Sequence, residues 1–187
     1  MNAVKASFVL ALAGLLANAA WAAFEITPAM QTEISRQTEV VKVWAANPAI
    51  VKAVLAQNEK GPIPGMDNAK WKTVRRSEEL IRDLIGNEAG RFLTRKIEES
   101  GGVFARAFLS AARGEKVAFN EKTISYLHKG QAKFDVPMST GKTWQGPPEL
   151  DEITQVHHVQ IAAPVLSGGR PVGVLVVGVN LAKLMKK

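Results

Sequence analysis

The chain has 187 residues, 47% of them apolar and 22% charged, which suits a single domain with its own core and excludes a disordered chain or a multispanning membrane protein. There is no cysteine, which excludes a lipoprotein anchor, covalently attached haem and a disulfide scaffold. The formal net charge is +7, a balance that in a cytosolic protein would raise nucleic acid as a partner.

The N-terminus reads as a secretory leader. Lys5 precedes an apolar stretch from Ala6 to Ala17, and Ala20-Trp21-Ala22 forms a small-x-small cleavage site. The expected cut lies before Ala23, leaving residues 23–187 as one domain. The other reading is an uncleaved anchor, but the stretch is Ala-rich and falls short of the roughly 20 residues a spanning helix needs. Loss of Lys5 lowers the formal charge from +7 to +6. The expected destination is the periplasm, where nucleic acid is not a partner, so the excess charge fits a small anionic ligand or plain solubility.

In the mature chain Thr27-Pro28 supplies an N-cap and a first-turn proline. Met30, Ile34, Val41 and Ala45 then recur at helical spacing. Asn47-Pro48 repeats the start signal, so the helix kinks or restarts before Ile50, Val51, Val54 and Leu55 continue the stripe. Gly61-Pro62-Ile63-Pro64-Gly65 is a loop. Ser77 with Glu78 and Glu79 is expected to cap another helix, broken near Gly86 or Gly90 and ending about Ile97. After Gly101-Gly102 the period becomes strand-like: Val103 to Leu109, a turn at Arg113-Gly114, then Lys116 to Phe119. Residues 130–152 read as an irregular, partly stranded excursion. Thr154 to Leu166 and Arg170 to Val179 form a closing hairpin, giving an α+β chain with helices first and an antiparallel sheet second.

The motifs of catalysis are missing. Ser139-Thr140-Gly141-Lys142-Thr143 resembles part of a phosphate-binding loop, but the first glycine of that motif would fall at Val136. Trp144-Gln145-Gly146-Pro147-Pro148 stands where a helix should follow, so the stretch reads as an ordinary turn. His157 and His158 are strand neighbours pointing to opposite faces, so they cannot share a metal ion, and His128 is the only other histidine. One of the pair is expected in solvent and the other half-buried. No Ser nucleophile elbow appears. Asp151-Glu152, after two prolines, reads as a solvated turn rather than a carboxylate pair. No enzyme activity, metal or cofactor is expected.

The order of pieces resembles the single Cache (PAS-like, PDC-type) family of periplasmic sensor domains. The resemblance is carried by "WAANPAIVKAVLAQN" (44–58), "MDNAKWK" (66–72), "GEKVAFNEKTISY" (114–126), "GQAKF" (130–134) and above all "VHHVQIAAPVLSGGRPVGVLVVGVNLAKL" (156–184). It implies a long N-terminal helix on a small antiparallel sheet, with a ligand pocket between the sheet and the segment covering it. The chain departs from the family at Thr123-Ile124-Ser125-Tyr126 and Gly130-Gln131-Ala132-Lys133-Phe134, where members carry acids at the positions of Ser125, Gln131 and Ala132. That loss tilts the field toward anions.

Six residues are candidates for that pocket. Arg106 interrupts the apolar strand "VFARAFL", either lining the pocket or taking an outward position. Tyr126, Lys133 and Trp144 lie in the covering segment, Trp144 with simple loop packing as its alternative. His158 and Gln160 share one face of the penultimate strand, with Ala162 leaving space beside them. Gln160 reads equally as an exposed amide. The chain stops at Leu184-Met185-Lys186-Lys187, so the expectation is a free-standing domain that binds a small organic anion, such as a carboxylate. It would pass its signal to a separate membrane receptor or sensor kinase. The alternative is a non-catalytic interaction protein using the same fold as a partner surface. Intact-mass analysis of the exported protein should find a chain beginning at Ala23 that extracts without detergent; a full-length chain pelleting with membranes would overturn the leader reading.

Overall fold

The computed structural model describes residues 24–151 and 156–184. The expected leader, Glu152 of the Asp151-Glu152 pair, and Thr154 as a strand start lie outside the described residues.

Two helices open the fold where the prolines predict them. In α1 (Pro28–Ala45) the Thr27 hydroxyl accepts from Met30 N at 3.3 Å, and in α2 (Pro48–Lys60) the Asn47 side chain accepts from Ala49 N at 2.9 Å. Each cap satisfies one of the orphan amides of a first turn. A short helix that the periodicity did not reveal, α3 (Asn68–Thr73), starts where Asp67 accepts from Lys70 N at 2.8 Å. The next pair is α4 (Glu79–Gly86) and α5 (Glu88–Glu99), split at Asn87. Ser77 is not the cap of α4. Glu78 holds that position without a side-chain capping bond, because its carboxylate accepts instead from Arg75 N at 2.7 Å. Asn87 caps α5 through Gly90 N and also donates to Val117 O at 2.9 Å, tying the helix pair to the sheet.

The strands are β1 (Phe104–Ala111), β2 (Lys116–Phe119), β3 (Trp144–Gln145), β4 (Glu149–Asp151), β5 (Val156–Ser167) and β6 (Arg170–Asn180). They form one antiparallel sheet in the order β2-β1-β6-β5-β3, with β4 also on β5. Residues 130–152 are not irregular throughout: α6 (Ala132–Thr140) lies between β2 and β3. Pro137 inside this helix removes one internal amide and hides the helical signal. Ser139 and Thr140 close α6, and Gly141 ends it at φ 65°, so the apparent phosphate loop is a helix C-terminus. A terminal turn, α7 (Leu181–Leu184), packs back on β5 and α1.

The alternation of side chains divides the core in two. Val159, Ile161, Ala163 and Val165 of β5, with Leu175, Val177 and Val179 of β6, face α1, α2 and α5. Ala162, Val174, Val176 and Phe108 point the other way, beneath α6, Trp71, Tyr126 and Ile81. The first face allows close approach: a Cβ on Gly173 would stand 2.5 Å from Ser110 O and 2.7 Å from Val54 Cγ1, so only glycine lets α2 settle there. Ile34, Val41, Ile50 and Val54 are fully buried, whereas Val51 sits half-exposed at the rim. Val54→Asp should therefore cost about 3–5 kcal/mol through an unpaired buried charge, against a total stability of about 5–15 kcal/mol. The expected readout is unfolding or a large fall in Tm, with Val51→Asp markedly milder; equal effects would refute this packing.

Candidate functional site

The ladder between β1 and β2 carries a bulge. Phe108 pairs with Phe119 and Leu109 with Ala118, but Ser110 then pairs with Lys116, leaving Val117 as the extra residue. Val117 and Ala118 consequently both join the helix-covered core, and Lys116 turns to the second face with Ser110 and Phe108. Its ammonium nitrogen rests 3.1 Å from the centre of the Phe108 ring, and the residue is 1% exposed. A cation over a ring face is attracted by the quadrupole, but that attraction does not replace the hydrogen bonds lost from water.

His128 reaches the same place from the segment that follows β2. Asn68 holds that segment: its Oδ1 accepts from Tyr126 N and Leu127 N at 2.8 Å each, and its amide donates to Leu127 O at 3.1 Å. His128 N donates to Gly114 O at 2.9 Å, and Gly114 adopts φ 91°, where a Cβ would stand 2.5 Å from Lys129 N. The hairpin turn therefore has to be glycine for this segment to lie against it. The His128 imidazole packs 4.5 Å from the Phe108 ring.

Lys116 Nζ, Ser110 Oγ and His128 Nδ1 are all buried, and none has a hydrogen-bond partner among the described residues. Glu115, next in the chain, is also buried but makes no hydrogen bond to Lys116: one carboxylate oxygen accepts from Arg113 N at 3.1 Å and the other has no partner among the described residues. Burial pushes the Lys116 ammonium well below the ordinary lysine range, and the nearby Lys133 pushes it further. Burial, then Lys116, then Lys133 take His128 down to about 2. Lys133 is itself lowered by burial, with Glu149 opposing. The site is a cluster of basic groups held in their neutral or reluctant forms by lack of solvent and by one another.

Of the residues expected from sequence, Lys133 and Gln160 come together. Lys133 on α6 donates to Gln160 Oε1 on β5 at 3.0 Å, and the electrostatic influence of Lys133 reaches Lys116 and His128. Trp144, on β3 opposite Ala162, is half-buried against the same apolar cluster. His158 lies on the Gln160 face of β5, half-buried, with Nε2 3.5 Å from a Glu149 oxygen, while His157 stacks on Phe24 with ring centroids 4.3 Å apart. Tyr126 is buried, its hydroxyl accepting from Ile63 N at 2.9 Å and its ring 5.4 Å from Trp71. Burial raises its pKa, with the Ile63 bond opposing. Arg106 is exposed near the start of β1, its guanidinium 3.4 Å from Glu121 in a surface network, and it is not gathered with the basic cluster. No group of three or more metal-ligating side chains occurs among the described residues.

The comparisons with known proteins bear on the fold. No family model matches the sequence, and no curated protein matches significantly. Among solved structures, the chain is similar to the sensor domain of the Vibrio cholerae histidine kinase DctB, at 16% identity and a TM-score of 0.54 over 84% of this chain and 54% of that one. It is also similar to the ligand-binding domain of the Pseudomonas fluorescens chemoreceptor CtaA, solved with L-leucine (18% identity, TM-score 0.50, 84% and 54% covered) and with L-valine (18%, 0.50, 84% and 57%). The chain spans about half the length of these structures. Its helices on a six-stranded antiparallel sheet match a PAS/Cache-like sensor fold.

Proposed function

We propose that this domain is an exported, periplasmic sensor module that binds a small organic anion between α6 and the second face of its sheet, and hands the signal to a separate receptor or kinase. The observation that carries the reading is the buried amine of Lys116 without a partner. A buried lysine with nothing to bond, whether kept as an ammonium or driven to the neutral amine, is a cost that a folded protein sheds unless something uses it. A carboxylate set among Lys116, Ser110 and His128 would accept from all of them, and Lys133 would add a second cation while Gln160 orients it. The CtaA domain, similar in fold, was solved with L-leucine and L-valine, both of which carry a carboxylate. Among the described residues no helix is long and apolar enough to cross a membrane. The second reading, a partner-binding protein with no small ligand, is favoured only if no ligand stabilises the domain.

A thermal-shift screen of short carboxylates, amino acids and amines tests the reading. A ligand at a hundred times its Kd adds about 2.7 kcal/mol, enough for a rise of several degrees in Tm. Lys116→Met should abolish the shift while raising the ligand-free Tm, since removing the desolvated amine should gain at least about 1 kcal/mol. Arg106→Ala should leave the shift intact. Amines shifting the protein while carboxylates do not would refute the charge argument.

The pH dependence follows from the same cluster. The unfolded chain binds a proton at His128 below about 6.5 that the folded, ligand-free domain refuses until about 2, so stability should fall as pH drops below 6.5, by up to about 1.4 kcal/mol per pH unit. Denaturant titrations between pH 7 and pH 5 should show this slope, and His128→Gln should lessen it, with Lys116 contributing in the same direction; a slope unchanged in the variant would mean that His128 is solvated.

A further inference from the structure

A second positively charged feature lies outside the buried cluster. An open cleft of about 680 Å³ between the end of α3 and the start of the segment over the sheet is lined by Lys72, Arg75, Arg76, Lys122, Thr123 and Ile124. Its four cations meet little opposing charge. Glu78 stands 4.0 Å from Arg75, and Glu121, 3.0 Å from Arg76, is shared with Arg106. The Arg75 and Arg76 side chains are 85% and 73% exposed, so these contacts neutralise them only weakly. Lys122 is fixed in the floor, where its ammonium donates to Trp71 O at 3.1 Å and lies 4.9 Å from the Trp71 ring. An ammonium has three protons, which leaves two directed elsewhere. Ile124, at the rim, is 82% exposed, the most exposed large apolar side chain among the described residues.

The arrangement combines planar guanidinium forks, a fixed ammonium and one protruding apolar side chain around a concavity. Forks of this kind take carboxylates with paired hydrogen bonds, and the recess admits an extended chain. A bilayer is a poorer fit: a flat headgroup surface meets the exposed arginines but not the inward-held Lys122, and a single isoleucine is a weak anchor. We infer that this cleft docks an extended, Asp/Glu-rich segment of a partner protein, with an apolar side chain of that segment covering Ile124. The inference does not depend on the occupant of the buried cluster.

The test uses the purified protein and a fluorescein-labelled synthetic peptide of alternating Glu and Leu, followed by anisotropy, with the Lys-for-Glu peptide and phosphatidylglycerol vesicles as the other arms. Saturable binding of the acidic peptide should weaken steeply with salt, and should fall by at least about tenfold in the R75E/R76E double variant, since charge pairs of this kind set both encounter and hold. Amide shifts in the NMR spectrum should centre on 122–124, and Ile124→Asp should also weaken binding. Both arginines are exposed, so the double variant should keep the wild-type Tm and thereby show that it is folded. No acidic-peptide binding by the wild type, retention of binding within about twofold in the double variant, or binding to the vesicles alone would each overturn the inference.

Discussion

The ladder between β1 and β2 slips by one residue between Leu109 and Ser110, and that slip decides what the second face of the sheet contains. With strict alternation inward from Phe119, Val117 would share its face and Lys116 would point toward the helices. The extra residue sends Val117 and Ala118 together into the helix-covered core and turns Lys116 onto Phe108. The sheet can hold this because β1 is clamped on its other side by a long, mostly regular ladder to β6, and β6 in turn by β5. This bulge lies in the edge hairpin, where one costs least, while the inner ladders shift only near Phe104/Arg106 and Val165/Leu166. His128 then follows from the same hairpin, since its amide is anchored on the Gly114 carbonyl at the turn.

The two faces obey different physics. On the helix side the contacts are mostly apolar, with Asn58 and Asn87 bonding the sheet backbone at the margins, and the main requirement is volume. Under α6 the apolar residues form a frame around basic groups that depress one another's protonation. The unpartnered polar groups cost stability that the surrounding apolar cluster has to offset. On the proposed reading, an anion bound there would couple to folding free energy without a hinge, because the cluster holds several of the buried polar atoms left without a partner among the described residues.

Much of the architecture was legible because its signals are local. Thr27-Pro28 and Asn47-Pro48 start helices through caps that need no tertiary partner, and the β5–β6 hairpin shows as two apolar runs around Ser-Gly-Gly-Arg-Pro. The short helices were harder to read. Asp67 caps α3, but six residues carry too little periodicity to see, and Pro137 makes α6 look like a break. The site was legible only in part. Lys133 and Gln160 stand out as polar residues where the family resemblance puts a pocket. Lys116 and Ser110 were missed because a lysine beginning a strand reads as solvent-facing, and a bulge leaves no mark in "GEKVAF". The available clue was the hairpin itself, whose turn at Arg113-Gly114 brings a serine and a lysine close together within two apolar strands. Arg106 drew notice for interrupting an apolar run, but a surface pair with Glu121 accounts for it.

The separation of the core into two clusters on opposite sides of one sheet also bears on how such a chain evolves. Any set of aliphatic residues of about the right volume satisfies the helix-covered face, so substitutions there are interchangeable and accumulate freely, and recognisable ancestry fades while the shape persists. On the proposed reading, the face under α6 would be subject to a separate selection, on the chemistry of what it binds. A lineage could then exchange the serine, lysine and histidine for another polar set without disturbing the scaffold, which would let domains of one shape diverge in specificity faster than in form.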